Sequence, residues 1–212
     1  MPNLPITQLP SSDPLDGTEL FAIVQDGITK QTTLDSITYA PGSNYGLFAQ
    51  TANSTPVTGT TTETTLINGG IGTLSVPANG FNIGDSFRAI FGGVLNVANN
   101  QTLRVRVKTG AVVLLDSGLQ PITNITNNVF NLHIDFTIRA LGGAGVASIV
   151  SLGAFNYIKT SNGAVEGFGF NTVNNTTFNT TINNTLDVTV QWGSNNAGNS
   201  IFSDIFILNK TY

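Results

Sequence analysis

The chain has 212 residues, of which 9 % are charged and 40 % are hydrophobic, and its formal net charge is -4. This composition can fill the core of one β domain with a short appendage, and it is not that of a disordered chain. It contains no cysteine and only eight scattered Lys and Arg residues, which excludes disulfides and cysteine-based zinc sites and makes nucleic acid an unexpected partner.

The first residues carry no export or membrane signal. Residues 1–14 are interrupted by proline, without a basic region followed by an apolar run. No stretch of the chain approaches the ~18 apolar residues that a membrane span needs. We therefore expect a protein that is made and kept soluble without Sec export and that does not insert into a membrane.

Residues 1–37 are predicted to form a small module built on a β-hairpin. The runs LFAIV and ITKQT flank Asp26-Gly27, a dipeptide typical of the two-residue type I′ turn, and residues 33–37 are expected to form one helical turn. A lone hairpin is marginally stable in water, so its apolar side chains should pack on a partner. The residues predicted to make this docking hairpin are Leu20, Phe21, Ile23, Val24, Asp26, Gly27 and Ile28.

Residues 38–65 are rich in Gly, Ser, Thr, Pro and Asn and are predicted to be a linker with one short strand near residues 45–48. From residue 66 to residue 212 the pattern is that of strands. Apolar and polar residues alternate at 102–108, 132–139 and 186–192, and Trp192 continues the inward phase of the last run. About eight to ten strands without helical periodicity predict an all-β domain, an antiparallel sandwich of jelly-roll type.

The final strand is apolar on both sides. Ile201, Ile205 and Ile207 alternate with another apolar set, Phe202, Phe206 and Leu208. Either this strand is covered on both faces within one subunit, or one face packs on a neighbouring copy around a symmetry axis. The second interpretation makes Ile201, Ile205 and Ile207 candidates for a subunit interface.

Catalytic chemistry has few candidates in this sequence. His133 is the only histidine, and it shares a strand face with Asp135, but no third ligand accompanies them, so neither a metal site nor a cofactor is predicted. Glycoside hydrolysis needs two carboxylates that flank a sugar bond, and the acids of the second domain, Glu166 among them, are isolated in sequence. We predict a protein that is not an enzyme, and an oligomeric β hydrolase stays open as an alternative.

Ligand contacts are expected first in the segment EGFGFNTVNNTTFNTTINN, at residues 166–184. Its Asn, Thr and Gly residues with interspersed aromatics resemble adaptable recognition loops. Within it Phe168, Phe170, Asn174 and Asn175 are the candidate contacts. They would serve a soluble lectin-like carbohydrate-binding module, the main alternative function, or a surface glycan bound by an attachment protein.

Two parts of the chain resemble virion proteins. The stretch TTINNTLDVTVQWGSNNAGNSIFSDIFILNKTY, with its LDVTVQWG core, looks like the C-terminal domains of bacteriophage and other viral fibre or decoration proteins. GTLSVPANGFNIGDSFRAIFGGVL and LRVRVKTG fit the same pattern, so this resemblance spans residues 60–212. Separately, LDGTELFAIVQDGITKQTTLDSI resembles a short module near the start of many phage tail and virion proteins.

The resemblance implies a trimeric, jelly-roll-like head joined by a linker to a small docking hairpin. In such families one strand face lines the threefold axis, which suits the doubly apolar final strand. The implied partners are two further copies of the chain, a capsid or tail protein of a virion, and a host-surface glycan. The implied location is the virion, after synthesis in the host cytoplasm.

Overall fold

The computed structural model describes residues 18, 20–33, 47–160 and 162–212, in which all regular structure is β-strand. The chain forms two compact units, Met1–Ser43 and Asn44–Tyr212. In the first unit, β1 (Leu20–Gln25) and β2 (Ile28–Thr33) pair as an antiparallel hairpin. Asp26 and Gly27 both have positive φ angles, 55° and 74°, as a type I′ turn requires. The predicted hairpin is therefore confirmed, whereas residues 34–37 of the expected helical turn lie outside the described residues.

The second unit is an antiparallel sandwich, as predicted. Its larger sheet has the order β14-β13-β12-β8-β16-β3-β6, with β4 on β16, and its smaller sheet has the order β10-β9-β15-β5, with β11 on β9 and β7 on β15. The strands are β3 (Leu47–Gln50), β4 (Val57–Thr58), β5 (Thr64–Thr65), β6 (Gly70–Thr73), β7 (Ser75–Val76), β8 (Ser86–Val97), β9 (Gln101–Thr109), β10 (Val112–Asp116), β11 (Gln120–Ile122), β12 (Ile125–Ala140), β13 (Ser148–Ile158), β14 (Val165–Asn174), β15 (Asn184–Trp192) and β16 (Ser200–Lys210).

The core between the two sheets is built from the alternating residues that the sequence singled out. Leu103, Val105 and Val107 of β9 are fully buried, and the apolar positions of β12 face the same core. Trp192 is also buried, and its indole N–H donates to the carbonyl of Val57 at 3.0 Å. Burial of the ring with its one donor satisfied confirms the core role predicted for this tryptophan.

The sandwich begins earlier in the chain than the sequence suggested. Residues 47–65 fall in the predicted linker, yet β3 and β4 pair with β16, and β5 pairs with β15. Val57 is 2 % exposed within the core. Strands of two to four residues are too short to show a periodicity in the sequence.

A β-bulge in β16 corrects the predicted facing of the final strand. The register with β8 shifts between Ser203 and Ile205, so that Asp204 is an extra residue. Ile201 therefore lies in the core, fully buried, while Ile205 and Ile207 point outward. The three isoleucines predicted to share one face are thus divided between the two faces.

The outer face of the smaller sheet is covered by ion pairs. Asp116 accepts hydrogen bonds from Arg104 and, at 3.2 Å, from Arg106, and Arg106 also donates to Glu63 at 2.6 Å. The Lys108 Nζ atom lies 3.0 Å from Oε1 of the same Glu63. The Arg104 guanidinium is the main cause that lowers the pKa of Asp116 from 3.8 to about 2.

This lowered pKa predicts a pH-dependent contribution of Asp116 to stability. Because the pKa is lower in the folded chain than in the unfolded chain, the contribution is complete above about pH 4 and is lost as the pH falls towards 2. Asp116→Asn should lower the free energy of unfolding at pH 7 by on the order of 1–2 kcal/mol. Denaturant unfolding at pH 7 and pH 2 measures the change, and the difference from the wild type should shrink at the lower pH.

The exposed Asp204, which pairs with no described cation, is the matched control, and Asp204→Asn should leave the stability unchanged at both pH values. A difference for Asp116→Asn that is equally large at pH 7 and pH 2 would contradict the role of the ionised carboxylate.

Candidate functional site

The docking hairpin exposes most of the apolar side chains predicted for it. Leu20, Phe21, Val24 and Ile28 are exposed, Val24 by 73 %, and Ile23 is half-buried. The cross-strand neighbours of β1 on β2 are mainly Thr, Gln and Lys, so β2 offers little apolar surface to cover them. The hairpin thus carries unpacked hydrophobic side chains on a two-stranded element.

The segment whose composition resembles a recognition loop, residues 166–184, is a strand in its first half. Residues 165–174 form β14, the edge strand of the larger sheet, paired along its whole length with β13. Phe170 and Asn174 are buried, Phe168 is half-buried, and only Asn175, just after the strand, is exposed. The four candidate contacts therefore do not converge on one surface.

Asn174 has a structural role that its burial explains. Its side-chain N–H donates to the carbonyl of Val113 on β10 at 2.8 Å, which links the edges of the two sheets. Its side-chain oxygen accepts from the backbone N–H groups of Thr177 and Phe178. These bonds use the polar atoms of Asn174 within the chain and leave little capacity for a ligand.

Phe168 lies in a groove at the open edge of the sandwich. The groove has a volume of about 160 Å³ and is lined by Gln120 and Pro121 of β11, Tyr157 of β13, and Glu166, Gly167 and Phe168 of β14. One face of the Phe168 ring stacks on Phe155, with centroids 5.2 Å apart. The groove combines an aromatic ring, a carboxylate, a phenol and an amide.

Glu166 is the centre of a hydrogen-bond network in this groove. It accepts from the hydroxyl of Tyr157 at 2.8 Å and from the hydroxyl of Thr123 at 3.2 Å, and it forms an ion pair with Lys159. The hydrogen bond from Lys159 is the main cause that lowers the pKa of Glu166. Burial, followed by the nearby Glu166 carboxylate, raises the pKa of Tyr157. The network therefore holds an ionised carboxylate beside a neutral phenol.

The Glu166 network differs from the arrangement that a general acid for glycoside hydrolysis needs. A general acid for glycoside hydrolysis needs a raised pKa, and a second carboxylate across the bond, whereas the pKa of Glu166 is lowered and its oxygens are already bonded. His133 is exposed on the outer face of the larger sheet, and Asp135 is paired with Arg88. Among the described residues, no group of three or more His, Asp or Glu side chains is placed to hold a metal ion.

Sequence reasoning did not bring Gln120 and Pro121 to Phe168, and it did not place Lys159 beside Glu166. They come from two separated segments, β11 and the end of β13, which reach β14 only through tertiary pairing. A usable signal was present in β14, where Glu166, Phe168 and Phe170 alternate with Gly167 and Gly169. That alternation is typical of a strand, and it places the three larger side chains on one face.

Comparison with protein-family models, with curated proteins and with solved structures finds no match to this chain. In the part of the chain that the structure describes, no helix has the length and apolarity needed to cross a membrane.

The different roles of Asn174 and Asn175 predict different costs of substitution. Asn174→Ala removes a buried side chain and leaves the Val113 carbonyl and two backbone N–H groups without their partner, and we expect a loss of about 2–3 kcal/mol in the free energy of unfolding. Asn175→Ala is the matched control at an exposed position and should change stability by less than about 0.5 kcal/mol. Denaturant unfolding measures both, and equal effects would contradict the structural role of Asn174.

Proposed function

We propose that this chain is a non-enzymatic virion structural protein: a homotrimeric fibre or decoration subunit, attached to a capsid or tail through its N-terminal hairpin. The β-sandwich is the exposed head, which is suited to contact a host surface. The resemblance of residues 15–37 and 60–212 to virion modules suggests this class of protein, and the physical features of the two units support it.

The hairpin is the observation that carries the proposal. Four of its apolar side chains are exposed, among them Val24 and Ile28 beside the turn. A two-stranded hairpin has no core of its own, so a partner that covers these side chains supplies the missing burial, worth about 1.5–3 kcal/mol for each large apolar side chain. A protein surface on a particle is the partner that the proposal requires.

The head supports self-association through the outward position of Ile205 and Ile207. Both belong to the set predicted for a subunit interface, and the bulge at Asp204 turns them out of the core. Ile201, the third member of the set, contributes to the core instead. We therefore expect the copies to contact one another through the outer face of the larger sheet.

The hairpin variant Val24→Asp with Ile28→Asp tests the attachment. Charged side chains cannot be buried unpaired in a docking contact without a large cost, so we expect the variant to be lost from purified particles while the protein in the cell lysate keeps its wild-type native mass. Immunoblotting of purified particles measures the incorporated amount. Gln31→Asp, at an exposed polar position of the same hairpin, is the control and should be incorporated normally.

Incorporation of the double variant at the wild-type level would contradict docking through the hairpin. Absence of the wild-type chain from particles of its own virus would contradict the virion assignment as a whole.

A lectin-like carbohydrate-binding module is the second candidate, and the groove at Phe168 favours it. Pyranose rings present apolar C–H faces that stack on aromatic rings, and their hydroxyl groups bond to carboxylates and amides. Phe168 and Gln120 offer a ring face and an amide in one groove, which the Glu166 carboxylate also lines. Binding of this kind is compatible with an attachment protein as well as with a free module.

The groove variant Phe168→Leu with Gln120→Ala tests glycan binding. The leucine retains apolar contact with Phe155 but removes the ring face, so we expect affinity for any glycan found on an array to fall by about tenfold or more. Leu119→Ala changes an exposed neighbour outside the groove and is the control. Unchanged affinity of the groove variant would contradict this site.

A further inference from the structure

The outer face of the larger sheet carries many exposed apolar side chains among its polar ones. An antiparallel sheet with one solvated face normally alternates apolar residues inside with polar residues outside. Here large apolar side chains occupy outward positions on β12, β13, β14 and β16 and are exposed by 39–66 %. We call this surface the apolar outer face; its most exposed members are Val129, Leu152, Val165, Val173, Ile205 and Ile207.

The strand register aligns this surface into rows that cross the sheet. One row runs from Gly169 on β14 through Ala154, His133, Ile90 and Ile207 to Ile71 on β6. The only polar side chain in that row is His133. The next row, from Gly167 through Asn156, Asn131 and Gly92 to Ile205, carries no charged strand residue. Glycine and alanine keep these rows low and flat, which favours close approach by another surface.

The few charges on and beside this surface balance one another. Arg88 donates to Asp135 at 2.8 Å. Asp204 at the bulge and Arg139 at the end of β12 are exposed, and neither pairs with another described residue. Two positive and two negative side chains give no net charge, so this surface can lie against another copy of itself without net repulsion.

The outer face of the smaller sheet shows the opposite character. Arg104, Arg106 and Lys108 project from it and are paired with Asp116 and Glu63. Val113, 37 % exposed, is the one strongly exposed large apolar side chain among its described strands. One chain thus has a water-adapted face and an apolar face on opposite sides of the same core, and only the second requires a cover.

The size of the apolar outer face matches a protein interface. Five strands about 4.8 Å apart, over eight residues at about 3.4 Å each, give a planar footprint of roughly 650 Å². This footprint includes the polar side chains of the face, such as Asn131 and Asp135, and a standard interface buries about 800 Å² on each partner. The footprint is of the size that a stable contact between two folded domains needs.

We propose that the apolar outer face is the self-association surface of this protein, covered by the same face of neighbouring copies. The inference rests on the proposed function, in which three copies surround a threefold axis, and it assigns the contact to the outer faces of β12, β13, β14 and β16. Charge neutrality favours a second copy over a strongly charged partner, and the flat central rows favour a folded sheet over an inserted peptide.

The double variant Leu152→Glu with Val129→Glu tests this assignment. Both side chains are more than half exposed, so the isolated chain can accept the charges, whereas an interface would bury them unpaired. Size-exclusion chromatography with light scattering on the full chain should give a trimer for the wild type and a monomer for the variant, with a dissociation constant raised about 100-fold or more. Unchanged circular dichroism would show that the variant is folded.

The control is Val113→Glu on the outer face of the smaller sheet, which should keep the trimer mass. A double variant that remains trimeric would overturn the assignment of the surface and leave the trimeric virion protein standing. A wild type that is monomeric at all concentrations would overturn both. Incorporation of the hairpin variant into particles is measured in a separate experiment. Its result does not depend on the oligomeric mass of the wild type or of the double variant.

Thiol labelling supplies a second test that needs only mild substitutions. The chain has no cysteine, so a single cysteine can be introduced as Leu152→Cys or as Val113→Cys. Leu152 is 56 % exposed in the single chain and Val113 only 37 %, so a free chain should label faster at position 152. Labelling at 152 that is slower than at 113 by about tenfold supports coverage by another copy, and faster labelling at 152 would overturn it.

Discussion

The stacking of Phe206 on Phe91, with ring centroids 4.0 Å apart, is the cross-strand contact that packs the centre of the larger sheet into the core. It joins β16, the last strand of the chain, to β8, one of the longest strands of the larger sheet. Phe206 also contacts Phe48 of β3, with centroids 5.5 Å apart. Because β16 pairs with β8, β3 and β4, the last strand of the chain holds the first strands of the sandwich in the larger sheet. Long-range pairing of this kind is typical of slow-folding β proteins.

The bulge at Asp204 lets this one strand satisfy two requirements. Before the bulge Ile201 and Ser203 face inward; after it Phe206 and Leu208 do. Ser203 is fully buried, and its hydroxyl donates to the carbonyl of Leu66 at 2.6 Å while its N–H donates to the hydroxyl of Ser54 at 2.9 Å. These two hydrogen bonds fix the strand at the bulge. The bulge shifts the alternation of side chains by one residue, so Ile205 and Ile207 face outward.

Much of the fold could be predicted from the alternation of apolar and polar residues along the strands. β9, β12 and β15 have a single apolar face, and burial could be assigned position by position. The hairpin turn followed from Asp26-Gly27, because these residues tolerate the positive φ angles that a type I′ turn needs. These features are local, so the sequence carries them without knowledge of the partner strands.

The rest depended on contacts that are distant in sequence. A strand that is apolar on both sides gives no sign of where its phase changes, so the bulge that separates Ile201 from Ile205 was not predicted. The composition of residues 166–184 resembled that of recognition loops, yet pairing with β13 and the stacking of Phe168 on Phe155 hold their first half as a strand. The groove could not be predicted for the same reason, since Gln120 and Tyr157 meet Phe168 only through tertiary pairing.

The edge strand β14 brings the two proposed surfaces together without making them compete. Glu166 and Phe168 point towards the groove on the core side, whereas Val165 and Val173 point to the apolar outer face. Because successive side chains of a strand lie on opposite sides of the sheet, a neighbouring copy can cover the outer side while the groove stays open at the edge. Assembly through this face would leave one groove on each copy, and three copies held together would present three such grooves to a multivalent surface, where linked sites bind more tightly than one site alone.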